Sequence, residues 1–369
     1  MKCPFLQHGL AIAYDHVVKP CCEWKYDQDY AARNHVSRID ITQWRQQMVQ
    51  VQDQLSQGQW PQSCDRCRIN EQLGTSLRLN GINAYQHYDH DEITLEIRPG
   101  SVCNFACQTC WPEASSRVAR FYQQAGIGSG STAVQSLRDF DFLLPMRDQI
   151  RDVVLLGGEP FYDPACREFL HWAQHNLQSR LTMFTNGSQV DWNFVDSYRG
   201  KLVLVFSLDA VGKPAEYIRF GTDWSRVLAN YQRSLACDRI ETRVNVTTSV
   251  FNYLYLLPLL HLLGHEWPSV VTWGEPRQEM FLSSAIQQRE PMLESVSQCL
   301  SIVNSSHIEP DQRSHARTSL EGLITKITQT EYRAQVHNDL KKFVHDMDRV
   351  KHIRMRDHCP ELANLLQID

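Results

Sequence analysis

Three cysteines, Cys103, Cys107 and Cys110, stand within one short stretch, SVCNFACQTCWP. Thiolates are soft ligands, and a set this tight suits zinc, copper(I) or an iron–sulfur cluster. Structural zinc is normally closed by four protein ligands. Three thiolates therefore either need a remote fourth or hold a 4Fe-4S cluster with one iron left open to a small molecule, in place of the usual ligation by four cysteines. An open iron is a reaction site.

A second group lies near the amino terminus: Cys3, the pair Cys21 and Cys22, and Cys64 and Cys67 in the spacing Cys-x-x-Cys. That pattern is a metal signature for zinc or for an iron–sulfur cluster, and spacing does not choose between them. The chain has twelve cysteines. They are clumped, and the start MKCPFLQHGLAIAYDHVVKPCC, interrupted by His8, Asp15 and His16, makes a poor export signal, so metal is expected rather than a disulfide framework. The scattered Cys166, Cys237, Cys299 and Cys359 read as small core hydrophobes. The polar run His87, Asp89, His90, Asp91 and Glu92 offers hard ligands, but a solvated connector is the expected role.

These groups need elements to hold them. From residue 93 onward, β-rich runs alternate with helical patterns: ITLEIRPG (93–100), VVLLGG (153–158), LTMFTNG (181–187), LVLVFSLD (202–209), TRVNVTTSV (242–250) and VVTWGE (270–275). Strands separated by helices imply an α/β fold with a parallel sheet and right-handed crossovers. In such folds chemistry collects at the carboxyl ends of strands. Residues 1–92 read as a small metal-held module, 93–276 as the α/β core and 277–369 as a helical extension with a solvated charged face, broken by a loop at SSHIEPDQRS (305–314). At 369 residues, 42% hydrophobic and with a formal charge of -5, the chain is enzyme-sized, and neither disorder nor a polyanion-binding surface is indicated. No run of about eighteen apolar residues marks a membrane span. A soluble, cytoplasmic protein is expected.

Further motifs follow at the strand ends. LLGGEPF (155–161) offers glycines that let the backbone approach a ligand, and Glu159 has a carboxylate suited to an ammonium group. TNGS (185–188) reads alone as a turn, and FSLDAVGKPAEYIRFG (206–221) carries Ser207, Asp209 and Arg219. A carboxylate accepts from diol hydroxyls, and a guanidinium forks onto a carboxylate. The strand RVNVTTSVFN (243–252) adds Val246 and Thr247.

With Cys-x3-Cys-x2-Cys after the first strand, this ordered set resembles the radical S-adenosylmethionine (SAM) superfamily. The resemblance implies a partial (β/α)6 barrel, related to the TIM barrel, and a 4Fe-4S cluster on Cys103, Cys107 and Cys110 whose open iron chelates SAM. One electron then splits the carbon–sulfur bond of SAM to give a 5'-deoxyadenosyl radical that abstracts hydrogen from a substrate. It further implies that Gly157, Gly158, Glu159 and Pro160 hold the methionine amino group, that Ser207 and Asp209 lie near the ribose, Arg219 near the SAM carboxylate, and Val246 and Thr247 beside the adenine. One departure is Thr109, which stands before the last cysteine where the family often has an aromatic residue; Phe105 and Trp111 are the nearest aromatics.

The amino-terminal module resembles the Twitch or SPASM-like modules of such enzymes, in which a strand-turn-strand ribbon ends in a cysteine pair and later cysteines complete an auxiliary 4Fe-4S cluster. Here the module precedes the barrel. The resemblance implies Cys3, Cys22, Cys64 and Cys67 as its ligands, Cys22 being preferred over Cys21 because neighbours on a strand face opposite ways. It implies a peptide or small-molecule substrate, peptide first, and a flavodoxin- or ferredoxin-type electron donor. Two alternatives stand beside this reading: a radical SAM enzyme acting on a tRNA base, disfavoured by the acidic balance and the lack of a basic aromatic stripe, and a non-catalytic zinc or iron–sulfur protein.

Overall fold

The computed structural model describes residues 1–71, 76–128, 135–264, 271–274, 279–305 and 310–368. Ten strands run along it: β1 (Gly9–Ile12), β2 (Val18–Lys19), β3 (Ile93–Ile97), β4 (Ala106–Cys107) and β5 (Ile150–Leu155), then β6 (Arg180–Thr185), β7 (Leu202–Ser207), β8 (Arg219–Phe220), β9 (Ile240–Thr247) and β10 (Val271–Gly274). Helices separate most of the later strands, as the alternating sequence pattern predicts, and the larger sheet is mostly parallel.

Two compact units divide the chain: Met1–Ser101 with Val134–Met183 and Asp191–Val203, and Val102–Ala133 with Phe184–Val190 and Leu204–Asp369. In the first unit the strand order is β2-β1-β3-β5-β6. β1 pairs parallel with β3, Leu10 opposite Leu95 and Ile12 opposite Ile97, while β2 returns antiparallel to β1. The boundary expected at residues 92 and 93 is thus crossed by sheet pairing. GLAI is too short a run to announce a strand, and all four of its residues are buried against the sheet. Asp15 shapes the turn between β1 and β2 by accepting from the Val17 amide at 3.1 Å, after which His16 takes a positive φ of 56°.

The helix Ile41–Ser56 closes over this unit. Asp40 caps it by accepting from the Thr42 and Gln43 amides, and Trp44, Met48 and Leu55 form its buried stripe. Trp44 also donates from Nε1 to the Tyr30 hydroxyl at 3.1 Å.

In the second unit β7, β9 and β10 lie in the order β10-β9-β7, and β4 pairs antiparallel with β8 as a separate two-stranded ribbon. Leu202, Val203, Leu204, Val205 and Phe206 of β7 are all buried, the pattern of a strand covered on both faces. β9 alternates instead, burying Ile240, Thr242, Val244 and Val246. Of the loop expected at 305–314, residues 306–309 lie outside the described ones, while Ser305 ends one helix and Pro310–Ser314 open another, Pro310–Gln329, proline being well tolerated in a first turn. Residues 270 and 275 of the last predicted strand also lie outside the described residues. Among the described residues no helix is long and apolar enough to cross a membrane.

Candidate cluster and cofactor site

Six of the residues singled out by the sequence, Cys103, Cys107, Cys110, Asp209, Arg219 and Thr247, belong to the second unit. Cys107 lies on β4, and the ribbon register places it directly opposite Arg219 of β8, whose Nη1 approaches the Cys107 sulfur to 3.7 Å. The same guanidinium brings Nε to 2.8 Å from Asp209 Oδ2. The other Asp209 oxygen accepts from the Thr247 amide at 2.8 Å, so β9 fixes the carboxylate through its backbone. Cys110 follows one turn after Cys107, its amide donating to the Cys107 carbonyl at 3.3 Å. Cys103 begins the loop; the Phe105 amide points at its sulfur from 3.4 Å and Asn186 Nδ2 from 3.9 Å.

The polar surround of the loop is closed by residues the sequence left as punctuation. Asn186 of TNGS donates to Asn104 Oδ1 at 2.9 Å, and Asn104 donates onward to the Ser188 hydroxyl at 2.8 Å. Gly187 makes that turn possible, at φ 73°, where a Cβ would come within 2.8 Å of the Phe206 ring. Phe105 is fully buried, Trp111 partly open, and Thr109 buried. Val246 is wholly inside the sheet core, so of the two β9 candidates it is Thr247, through its amide, that acts on the site. Ser207 ends β7 half-buried.

Burial and charge oppose one another around the loop. Burial raises the Cys107 thiol, with the Arg219 guanidinium opposing it, and takes Cys110 to about 12. Burial also works against the Arg219 charge, and the Asp209 carboxylate more than offsets it. Lys351 is likewise lowered by burial, to about 7, with Cys107 and Asp348 opposing; conversion of the neighbouring thiols to thiolates would strengthen that opposition and keep the ammonium charged.

Asp209 Oδ2 and Arg219 Nε answer one another as a largely buried ion pair. Asp209→Asn is expected to cost about 3–5 kcal/mol of unfolding free energy, because it strands the largely buried Arg219 cation. Denaturant titration checks this, and an unchanged midpoint would show the pair to be uncoupled.

Gly157, Gly158, Glu159 and Pro160 belong to the first unit. Gly157 adopts φ 144° and a Cβ there would stand 2.8 Å from the Gly100 carbonyl, so only glycine fits without a shift. The Gly158 amide donates to that same carbonyl at 3.1 Å. Glu159 and Pro160 are buried, and the Glu159 carbonyl accepts from the Tyr162 and Asp163 amides, leading into the Asp163-capped helix Pro164–Asn176.

The amino-terminal cysteines form a second grouping in the first unit. One cavity is lined by Cys3, Cys21, Cys64 and Cys67 together with Trp24 and Arg78. Cys22 is exposed and is not part of that lining. The structure therefore draws Cys21 to the cavity where the sequence preferred Cys22: the alternation argument allowed one of the pair, and the turn after Pro20 sends the other inward. Cys64 closes a short 3-10 turn and Cys67 follows within the helix Asp65–Glu71, so the two lie near one helical face. Burial raises Cys3 and Cys21 and takes Cys64 to about 12, while the Arg78 guanidinium favours the Cys3 thiolate.

Among the described residues no three thiols, imidazoles or carboxylates are grouped closely enough to hold an ion as they stand, so side chains in either cysteine set would have to draw inward on a cluster. The chemistry of both sets, thiols beside a guanidinium, fits one. None of the cysteines is in a disulfide, and Cys166, Cys299 and Cys359 are core residues. His90 and Asp91 are exposed and Glu92 pairs with Arg151, in keeping with a solvated connector.

No protein-family model matches the chain, and no curated protein does. Solved structures do. The chain is similar to Streptococcus suis SuiB bound to S-adenosylmethionine, at 14% identity and a TM-score of 0.38, over 60% of this chain and 48% of SuiB. It is similar to anSMEcpe with bound AdoMet, at 15% identity and a TM-score of 0.40, over 57% of this chain and 56% of that one. It is also similar to TYW1 with a lysine-pyruvate adduct bound, at 14% identity and a TM-score of 0.34, over 63% of this chain and 82% of that one. The chain spans about half the length of SuiB and of anSMEcpe. On its ordered motifs the chain resembles the radical SAM superfamily.

Proposed function

We propose that the chain is an enzyme that binds SAM at a 4Fe-4S cluster held by Cys103, Cys107 and Cys110, within a partial (β/α)6 barrel. The observation that carries this reading is the buried ion pair of Asp209 with Arg219, whose guanidinium stands directly opposite Cys107 across the β4–β8 ribbon. When bound, the cluster would supply the single electron that splits the carbon–sulfur bond of SAM, generating a radical that takes a hydrogen atom from substrate. The chain's own residues have simpler tasks. Arg219 is suited to the SAM carboxylate by its fork of donors, Asp209 with Ser207 to the ribose hydroxyls, and Thr247 holds Asp209 in place. By the family resemblance alone, Gly157, Gly158 and Glu159 would be given the methionine amino group, glycine leaving the backbone open and the carboxylate accepting. Of the two β9 candidates, Thr247 would border the adenine, Val246 lying in the sheet core.

The amino-terminal set would hold an auxiliary 4Fe-4S cluster in a Twitch-like module, as an electron conduit or substrate contact. A peptide or protein side chain is the proposed substrate, carried over from the family resemblance, with a flavodoxin- or ferredoxin-type donor in the cytoplasm. The test is anaerobic reconstitution followed by incubation with SAM and dithionite. Formation of 5'-deoxyadenosine together with bound iron and sulfide is expected. Zinc without sulfide, or a loaded cluster that yields no 5'-deoxyadenosine, would overturn the reading.

A further inference from the structure

The helix Ala334–Lys351 buries Val336, Leu340, Phe343, Val344 and Met347 along one face, and the next position in that spacing is Lys351, only 4% exposed. A charged group at the end of an apolar stripe is costly unless the fold answers it. Here it does. Lys351 Nζ donates to the Ala106 carbonyl at 3.0 Å and to Gln108 Oε1 at 3.0 Å, and it stands 5.4 Å from the Phe220 ring centre. Ala106 and Gln108 are the two residues that flank Cys107.

The contact belongs to a closed circuit. Gln108 Nε2 donates to the Tyr217 carbonyl at 3.3 Å. The Tyr217 hydroxyl donates to Asp348 Oδ1 at 2.8 Å, and Asp348, which also accepts from the Met355 amide at 2.7 Å, lies one helical turn before Lys351. The helix ends immediately afterwards, His352 adopting a left-handed cap at φ 55°. A network in which each buried member is answered rigidifies what it touches.

We infer that Lys351 is a positioning residue for the cysteine loop: it fixes the backbone on both sides of Cys107 and places a positive charge beside the sulfurs. This deepens the proposed function and rests on it only where a cluster is read out. A nearby cation stabilises the more negative, reduced form of a thiolate-bound cluster and so raises its reduction potential.

The reporter in the cluster-free chain is the Gln108 amide, which donates to the Ile218 carbonyl at 2.8 Å in the β4–β8 ribbon. In Lys351→Met, hydrogen exchange at Gln108 should accelerate by about tenfold, the scale of one lost buried hydrogen bond, while β7 amides keep their protection. In the reconstituted protein the midpoint potential of the loop cluster should move negative. Unchanged exchange at Gln108 in a folded variant overturns the tether, and an unchanged potential overturns the role of the charge. Should Lys351→Met fail to fold, Gln108→Met keeps the charge and removes one of the two loop partners; faster exchange through the loop then supports the tether and wild-type exchange overturns it. A wild-type chain that takes up no iron and sulfide defeats the proposed function alone, since the exchange measurement needs no cluster.

Discussion

Cys107→Ala is expected to reduce 5'-deoxyadenosine formation by at least roughly a hundredfold, the upper end of what losing a mere supporting partner of a metal site costs. The argument is one of ligand count. A cluster with an open iron has three protein sulfurs, and removing one leaves two, too few to fix either the cluster or the direction in which its open iron faces. Cys107 is the informative choice because it is held twice over, by its register opposite Arg219 and by Lys351 through both neighbours. The backbone of the loop should survive the change, so circular dichroism should stay as in the wild type while iron content falls. The control is Cys299→Ala in the helix Glu290–Ser305, a fully buried core cysteine far down the chain from either cysteine set, whose loss should lower stability and leave cleavage of SAM intact. A Cys107→Ala protein that retains wild-type activity would remove the cluster from the mechanism.

What could be read from the amino acids alone divides along physical lines. The parallel strands announced themselves because buried strands are apolar throughout, as in LVLVF, and the motif residues at their ends follow from where loops must lie. The link between Arg219 and Cys107 could not be read, since a two-residue ribbon such as β4 with β8 has no periodicity to detect. Lys351 was hidden differently. Its helix is rich in charge and reads as a solvated face, yet the apolar spacing through Val336, Leu340, Phe343 and Met347 runs straight to the lysine. A charged residue in register with a buried stripe is a signal, and it was there to be used. Asn186 was visible only as part of a turn, because its contact with Asn104 joins residues far apart in the chain.

The pair Cys21 and Cys22 gives the clearest discrimination at the amino terminus. Cys21 shares a cavity with Cys3, Cys64 and Cys67, whereas Cys22 is exposed and outside that lining, so placement decides which sulfur is offered to a metal. Cys21→Ala should therefore lower the iron of the reconstituted chain from about eight to about four atoms, and Cys22→Ala should leave it near eight, for two 4Fe-4S clusters. Because metal affinity is also folding free energy, Cys21→Ala should in addition lower the thermal midpoint of the metal-loaded protein but not that of the metal-free chain by a comparable amount. If the module instead holds zinc, the same substitution should remove about one zinc per chain while iron is unaffected, the closed four-thiolate case. Loss of metal in Cys22→Ala with full retention in Cys21→Ala would reverse the assignment and require the turn after Pro20 to open when the metal binds.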